Sequence, residues 1–148
     1  MSSKVPIAHI DIRTFVHATE DAEKVQMALL NTLPPDVGNV VTFRKSNLTG
    51  HHGNPIMLLE ARIKDKQAVQ GVFMKLSSGL SMMDKELLAA EIGRHLEKGN
   101  LYVRLDKQSA YMNELRISET DPVHFKVHFK KSNADEVIRI CRELGLIP

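Results

Sequence analysis

From Val5 to His17 the chain alternates, with Ala8, Ile10, Ile12, Thr14 and Val16 on one side and Ile7, His9, Asp11, Arg13 and Phe15 on the other. A period of two is that of a β-strand with one buried face. The period then changes to that of a helix, with Ala22, Val25, Leu29 and Leu33 recurring after Thr19, a residue able to cap its start. Glu20, Asp21 and Glu23 suit the positive end of that helix, and Pro34-Pro35 ends it. Val40 to Leu48 and Pro55 to Lys64 are rich in β-formers and predict two strands, joined as a hairpin across Thr49-Gly50-His51-His52-Gly53-Asn54.

Two helical stripes follow. Asp65 to Leu76 carries Ala68, Val69, Val72, Phe73 and Leu76, and a second helix is expected from about Met82 to Leu96, with Ser81 and Asp84 approximating a capping box. Leu101 to Leu105 predicts a short strand, Asp106-Lys107-Gln108 an irregular stretch, and Leu115 to Ile117 a further short strand. Pro122 to Lys130 alternates cleanly, placing Val123, Phe125, Val127 and Phe129 inward and His124, Lys126, His128 and Lys130 outward. A last helix, capped by Ser132 or Asn133, buries Val137, Ile140, Cys141 and Leu144 and ends at Gly145. Hairpin-like neighbours, rather than strict βαβ alternation, predict an α+β fold: an antiparallel or mixed sheet with helices packed on one face. No repeat or linker divides residues 1–148, so a single domain is expected.

Composition changes this picture little. Hydrophobic residues make up 43% and charged residues 26%, close to the average for globular proteins. The longest apolar runs fall far below the roughly 18 residues of a spanning helix, and the start of the chain lacks a secretory apolar region, so a cytoplasmic protein is expected. The lone Cys141 lies in an apolar helical pattern and is expected to be a small buried hydrophobe.

Charge is more informative in its distribution than in its total of +2. Residues 38–64 carry Arg44, Lys45, Arg62 and Lys64 against Glu60 alone, and residues 100–131 carry six cations against four acids. An anionic partner senses this local field. At the tip of the basic hairpin, Gly50 and Gly53 could expose backbone amides to a phosphate, His51 and His52 could bond to phosphate or stack, and Asn54 could read a base edge. The same residues equally describe a turn that satisfies only geometry. The outward face with Lys126 and Lys130, continuing to Lys131, could track a phosphate backbone, or it could be a solvated face guarded by lysines. Two tyrosines and no tryptophan leave few stacking platforms, so RNA contacts are expected to rest on charge and shape.

Catalytic signatures are absent: there is no GxGxxG, GxxxxGK[ST], GxSxG or HExxH. A metal held by His51, His52 and His17 lacks the Cys pair or carboxylate cluster that would support it, and neither metal nor cofactor is expected. Asp11, flanked on its strand face by His9 and Arg13, suggests a surface charge network.

Three segments, HIDIRTFVHATEDAEKV from His9, LTGHHGNPI from Leu48 and LDKQ from Leu105, resemble the archaeal family of predicted exosome subunits. The resemblance covers nearly the whole chain. It implies an RNA-binding-type protein with a ribosomal protein L5-like fold, linked to RNA processing or ribosome-associated machinery, and it supplies no catalytic residues. Our expectation is a non-catalytic RNA-binding protein that contacts phosphates through Arg44, Lys45, Lys107, Lys126, Lys130 and Lys131, with His51, His52 and Asn54 closer to the bases. The alternative is a scaffold subunit, a homodimer or complex component without RNA affinity of its own. A metal-assisted hydrolase would be a third class.

Overall fold

The described residues form six strands, named here β1 (Ile7–Val16), β2 (Arg44–Thr49), β3 (Pro55–Ile63), β4 (Leu96–Glu97), β5 (Asn100–Asp106) and β6 (Pro122–Phe129). They were located in a computed structural model that describes residues 6–50, 53–130 and 133–148. The strands join in one sheet of order β2-β3-β1-β6-β5-β4, with every neighbour antiparallel. The long β1 and β6 lie at its centre. Among the described residues six α-helices accompany it: α1 (Ala22–Asn31), α2 (Pro35–Gly38), α3 (Lys66–Gly79), α4 (Met82–Ala90), α5 (Lys107–Tyr111) and α6 (Ala134–Glu143).

One face of the sheet is core. Ile10, Ile12, Leu59, Leu101, Val103, Val123, Phe125 and Val127 point into it and meet Leu29 of α1, Val69, Phe73 and Leu76 of α3, and Val137 and Cys141 of α6. Phe73 packs edge-on against Phe129, ring centroids 6.0 Å apart. Ile7 and Ile10 are both buried despite their odd spacing, because the β1–β6 register shifts between Ile7 and His9 and turns Ile7 inward. Among the described residues no helix covers the other face. His9, Asp11, Arg13 and Phe15 of β1 lie there, intermediate to exposed, beside the outward residues of β3, β5 and β6.

Several boundaries differ from those the pattern predicts, each for a local reason. Helix α1 is capped by Asp21, which accepts from the Glu23 amide at 2.9 Å, because Glu20 is engaged elsewhere and Thr19 lies in a turn. Val40 and Val41 donate back to the Val37 carbonyl, closing α2, so β2 starts only at Arg44. The helix expected to reach Leu96 stops at Ala90. Its continuation becomes a 3-10 turn, Ile92–Arg94, and then β4, which folds onto β5 through Lys98 and Gly99, both at positive φ as a two-residue hairpin turn requires. The stretch after Leu105 is irregular only in part: Asp106 caps α5 by accepting from the Ser109 amide (2.9 Å) and hydroxyl (2.6 Å). Leu115 to Ile117 adds only a single bridge, Leu105 to Ile117.

Candidate nucleic-acid interface

Side chains of paired residues in an antiparallel sheet project to the same side, with Cβ atoms about 5 Å apart, so register turns the uncovered face into rows. One row runs Arg44, Glu60, Arg13, His124, Arg104 across β2, β3, β1, β6 and β5. The next runs Arg62, Asp11, Lys126, Tyr102. A third holds His9, His128 and Asn100. The first two rows bound a shallow concavity of about 600 Å³.

Ion pairing inside these rows is uneven. Arg62 grips Asp11 with two bonds, 2.6 and 3.0 Å, and Arg44 holds Glu60 at 2.6 Å. Those two acids neutralise two of the five cations. Arg13, Arg104 and Lys126 form no ion pair among the described residues, and they surround His124. Partial burial, followed by the charges of Arg104, Arg13 and Lys126, pushes the His124 imidazole down to about 4. It is therefore neutral near pH 7. Asp11 is pushed up by its burial, but the hydrogen bond and charge of Arg62 outweigh this and hold its carboxyl below the usual range. Tyr102 leans on His124 with ring centroids 5.5 Å apart. His9 stacks on His128 at 4.8 Å, and His128 Nδ1 donates to Asn100 Oδ1 at 2.6 Å.

Of the residues singled out from sequence, the fold brings Arg44 and Lys126 together along the same concavity. Lys45 is opposite Leu59, a core position, and so belongs to the other face of the sheet at its exposed edge. Lys130 is exposed just beyond β6, where its amide donates to the Pro6 carbonyl at 2.9 Å. Asn54 is exposed at the hairpin end, and its carbonyl accepts from the Gly50 amide at 2.6 Å. His51, His52 and Lys131 lie outside the described residues.

Lys107 does not join the face. Only 6% exposed, it donates to the Phe15 carbonyl (2.7 Å), Glu20 Oε1 (3.1 Å) and Asp121 Oδ2 (3.0 Å). It ties the end of β1 to the approach to α1 and the loop before β6. His17, Glu20 and Asp121 place potential metal-ligand atoms within 4.8 Å of one another, but the Lys107 ammonium already binds both carboxylates and His17 Nε2 already bonds Asp121 at 2.9 Å. The cluster is thus supplied with its own cation. Burial pushes the Cys141 thiol up to about 12, in keeping with a buried hydrophobe.

Arg13, Tyr102 and Arg104 were not among the expected contacts. Their signal was present in the alternation of β1 and β5, where Leu101, Val103 and Leu105 point inward and Tyr102 and Arg104 outward. What the pattern lacked was strand order, which alone puts β5 beside β6.

The molecule is thus an α+β protein with an antiparallel sheet, helices on one face and an uncovered, cation-rich second face. It belongs to the RNA_binding family, whose model, described as RNA binding, matches residues 9–129. RNA-binding protein PAB1135 of Pyrococcus abyssi is 34% identical to it over 148 residues, covering 97% of this chain and 96% of that protein. Among solved structures, protein AF2318 from Archaeglobus fulgidus superposes with a TM-score of 0.80 at 27% identity, covering 93% of this chain and 99% of its own. Mth689, a DUF54 protein from Methanothermobacter thermautotrophicus, gives 0.77 at 28% identity, with 94% and 98% covered. No described helix is long and apolar enough to cross a membrane.

Proposed function

We propose that this protein binds RNA, without catalysing a reaction on it, through the open face of its sheet. The observation that carries the proposal is the trio Arg13, Arg104 and Lys126, clustered on three adjacent strands, none in an ion pair among the described residues because the carboxylates across from Arg13 and Lys126, Glu60 and Asp11, are taken by Arg44 and Arg62. Unpaired cations held close together cost electrostatic self-repulsion, which a polyanion relieves. Neutralised phosphates release counterions, so affinity falls with salt. Arg44 and Lys126 contribute from within the concavity, Lys130 and Lys131 would extend the track, and His51, His52 and Asn54 would approach from the hairpin tip. Lys45 would act from the rim. Fluorescence anisotropy with the double variant Arg13→Glu, Lys126→Glu tests this: RNA affinity should fall at least about tenfold at low salt. Unchanged affinity would place the RNA elsewhere.

Within this proposal the protein serves as an accessory subunit of the archaeal exosome or related RNA-processing machinery, and its fold is ribosomal protein L5-like. Support comes from the three sequence segments that carry the resemblance and from the sheet with one helix-covered face. Superposition on ribosomal protein L5 should reproduce the strand order. Co-purification with exosome subunits should survive nuclease if the link is direct.

A scaffold role is favoured by one observation of its own. Met82, Met83 and Leu87 of α4 are exposed, Met83 by 81%. A homodimer or a protein partner seated there would appear in sedimentation as a defined complex, lost in a Met83→Asp, Leu87→Asp variant while RNA affinity is kept.

A further inference from the structure

Beside the cationic rows the open face carries an apolar shelf. Phe15 follows Arg13 by two residues on β1, so its ring stands about 7 Å further along the same face. It is 40% exposed, and among the described residues no other ring packs against it. Leu58 lies directly opposite it on β3, and Leu48 of β2, 44% exposed, lies opposite Ile56 one step further out. The shelf is fixed from below. The Phe15 carbonyl accepts the buried Lys107 ammonium at 2.7 Å, and Thr14, the adjacent inward residue, donates its hydroxyl to the Pro122 carbonyl at 3.0 Å.

An exposed ring on a rigid strand, one step from unpaired cations, offers two kinds of contact at nucleotide scale: charge for a phosphate and an apolar plane for a base. A duplex can use only the first. Its bases are already paired and stacked, and proteins meet it through sugars, phosphates and shape. A protein partner could use the shelf but would leave Arg13, Arg104 and Lys126 unanswered unless it were strongly acidic.

Taking the RNA-binding proposal as its premise, we infer that the open face takes single-stranded RNA in preference to duplex, with a base stacked on Phe15 and the neighbouring phosphates on Arg13, Arg104 and Lys126. Stacking thereby joins charge and shape in the contact, which the scarcity of aromatic residues did not suggest.

The test is equilibrium binding of a fluorescent single-stranded oligoribonucleotide, of the same sequence as a blunt duplex, and of inorganic polyphosphate, each to the full-length protein. Wild type should bind the single strand about tenfold or more tightly than the duplex. Phe15→Ala should weaken the single strand by about 5-fold to about 100-fold. It should leave duplex and polyphosphate unchanged, and Phe15→Trp should restore the single-strand affinity. Because Phe15 is partly exposed, folding of each variant is checked by its thermal midpoint, and Leu58→Ser provides a second lesion in the shelf with the same expected pattern. Equal affinity for duplex and single strand, or loss on Phe15→Ala that Trp does not restore, overturns the inference while leaving RNA binding itself intact. No binding of either RNA at low salt overturns both.

Discussion

His124 and Lys107 show how differently a single charged or titratable residue can be used in this fold. The His124 imidazole is neutral because burial and then Arg104, Arg13 and Lys126 disfavour a further positive charge. A phosphate seated among those cations would oppose their field and raise the imidazole pKa from about 4. Binding would then take up a proton, so affinity for RNA should rise as pH is lowered from 7 toward 5, where Asp11 stays ionised against Arg62. Titration of His124 by NMR with and without RNA measures the shift directly; identical curves would place the phosphate away from it. In the free protein the sign is opposite for stability. The unfolded chain protonates this histidine near 6.5 and the native one only near 4, so the contribution is present above about 6.5 and is lost as pH falls through that window. Lys107, by contrast, is buried as an ion and satisfied three times over. Lys107→Met should cost about 2–4 kcal/mol in denaturant unfolding, since it strands two carboxylates and the Phe15 carbonyl, with Glu20 and Asp121 partly solvated to temper the loss.

At the scale of elements, β1, β6 and α6 were readable from periodicity because each has one apolar and one polar side matched to its own period. The stretches on either side of β5, residues 91–99 and 107–121, were not. Their short pieces, β4 and α5 and a single bridge, owe their form to turns and caps such as that of Asp106 on Ser109, and two to five residues without alternation carry no period. The candidate site divides along the same line. Lys126 and the outward alternation of β6 were legible, but Lys107 reads in sequence like any other cation, because the three groups that bury it come from residues 15, 20 and 121. Arg13 and Arg104 came to flank His124 only through strand order. The last turn of α3 is constrained too: a Cβ at Gly79 would lie 2.6 Å from Leu115 Cδ1 and 3.2 Å from its Cγ. Leu115 must shift to admit that methyl, a cost partly offset by the gain in helix propensity, so Gly79→Ala should lower stability by no more than about 1 kcal/mol, measured as a shift of the denaturation midpoint at unchanged slope.

For the whole molecule, the division of labour is between two faces of one sheet. Helices α1, α3 and α6 close the inner face with a continuous apolar core, which leaves the outer face free of any packing duty. That freedom allows three unpaired cations and an exposed phenylalanine to sit there without destabilising the interior. Net charge alone, at +2, conceals this arrangement, because 18 acids spread along the chain nearly offset its 20 Lys and Arg, and the neutralised pairs Arg62–Asp11 and Arg44–Glu60 flank the unpaired trio. The most direct test is the salt dependence of RNA affinity for wild type and for the triple variant Arg13→Ala, Arg104→Ala, Lys126→Ala. Each phosphate contact on a single strand contributes about 0.7 to the slope of log affinity against log salt, so the variant's slope should be shallower by about 2. A variant that binds as tightly as wild type, with the same slope, would contradict an RNA interface on this face.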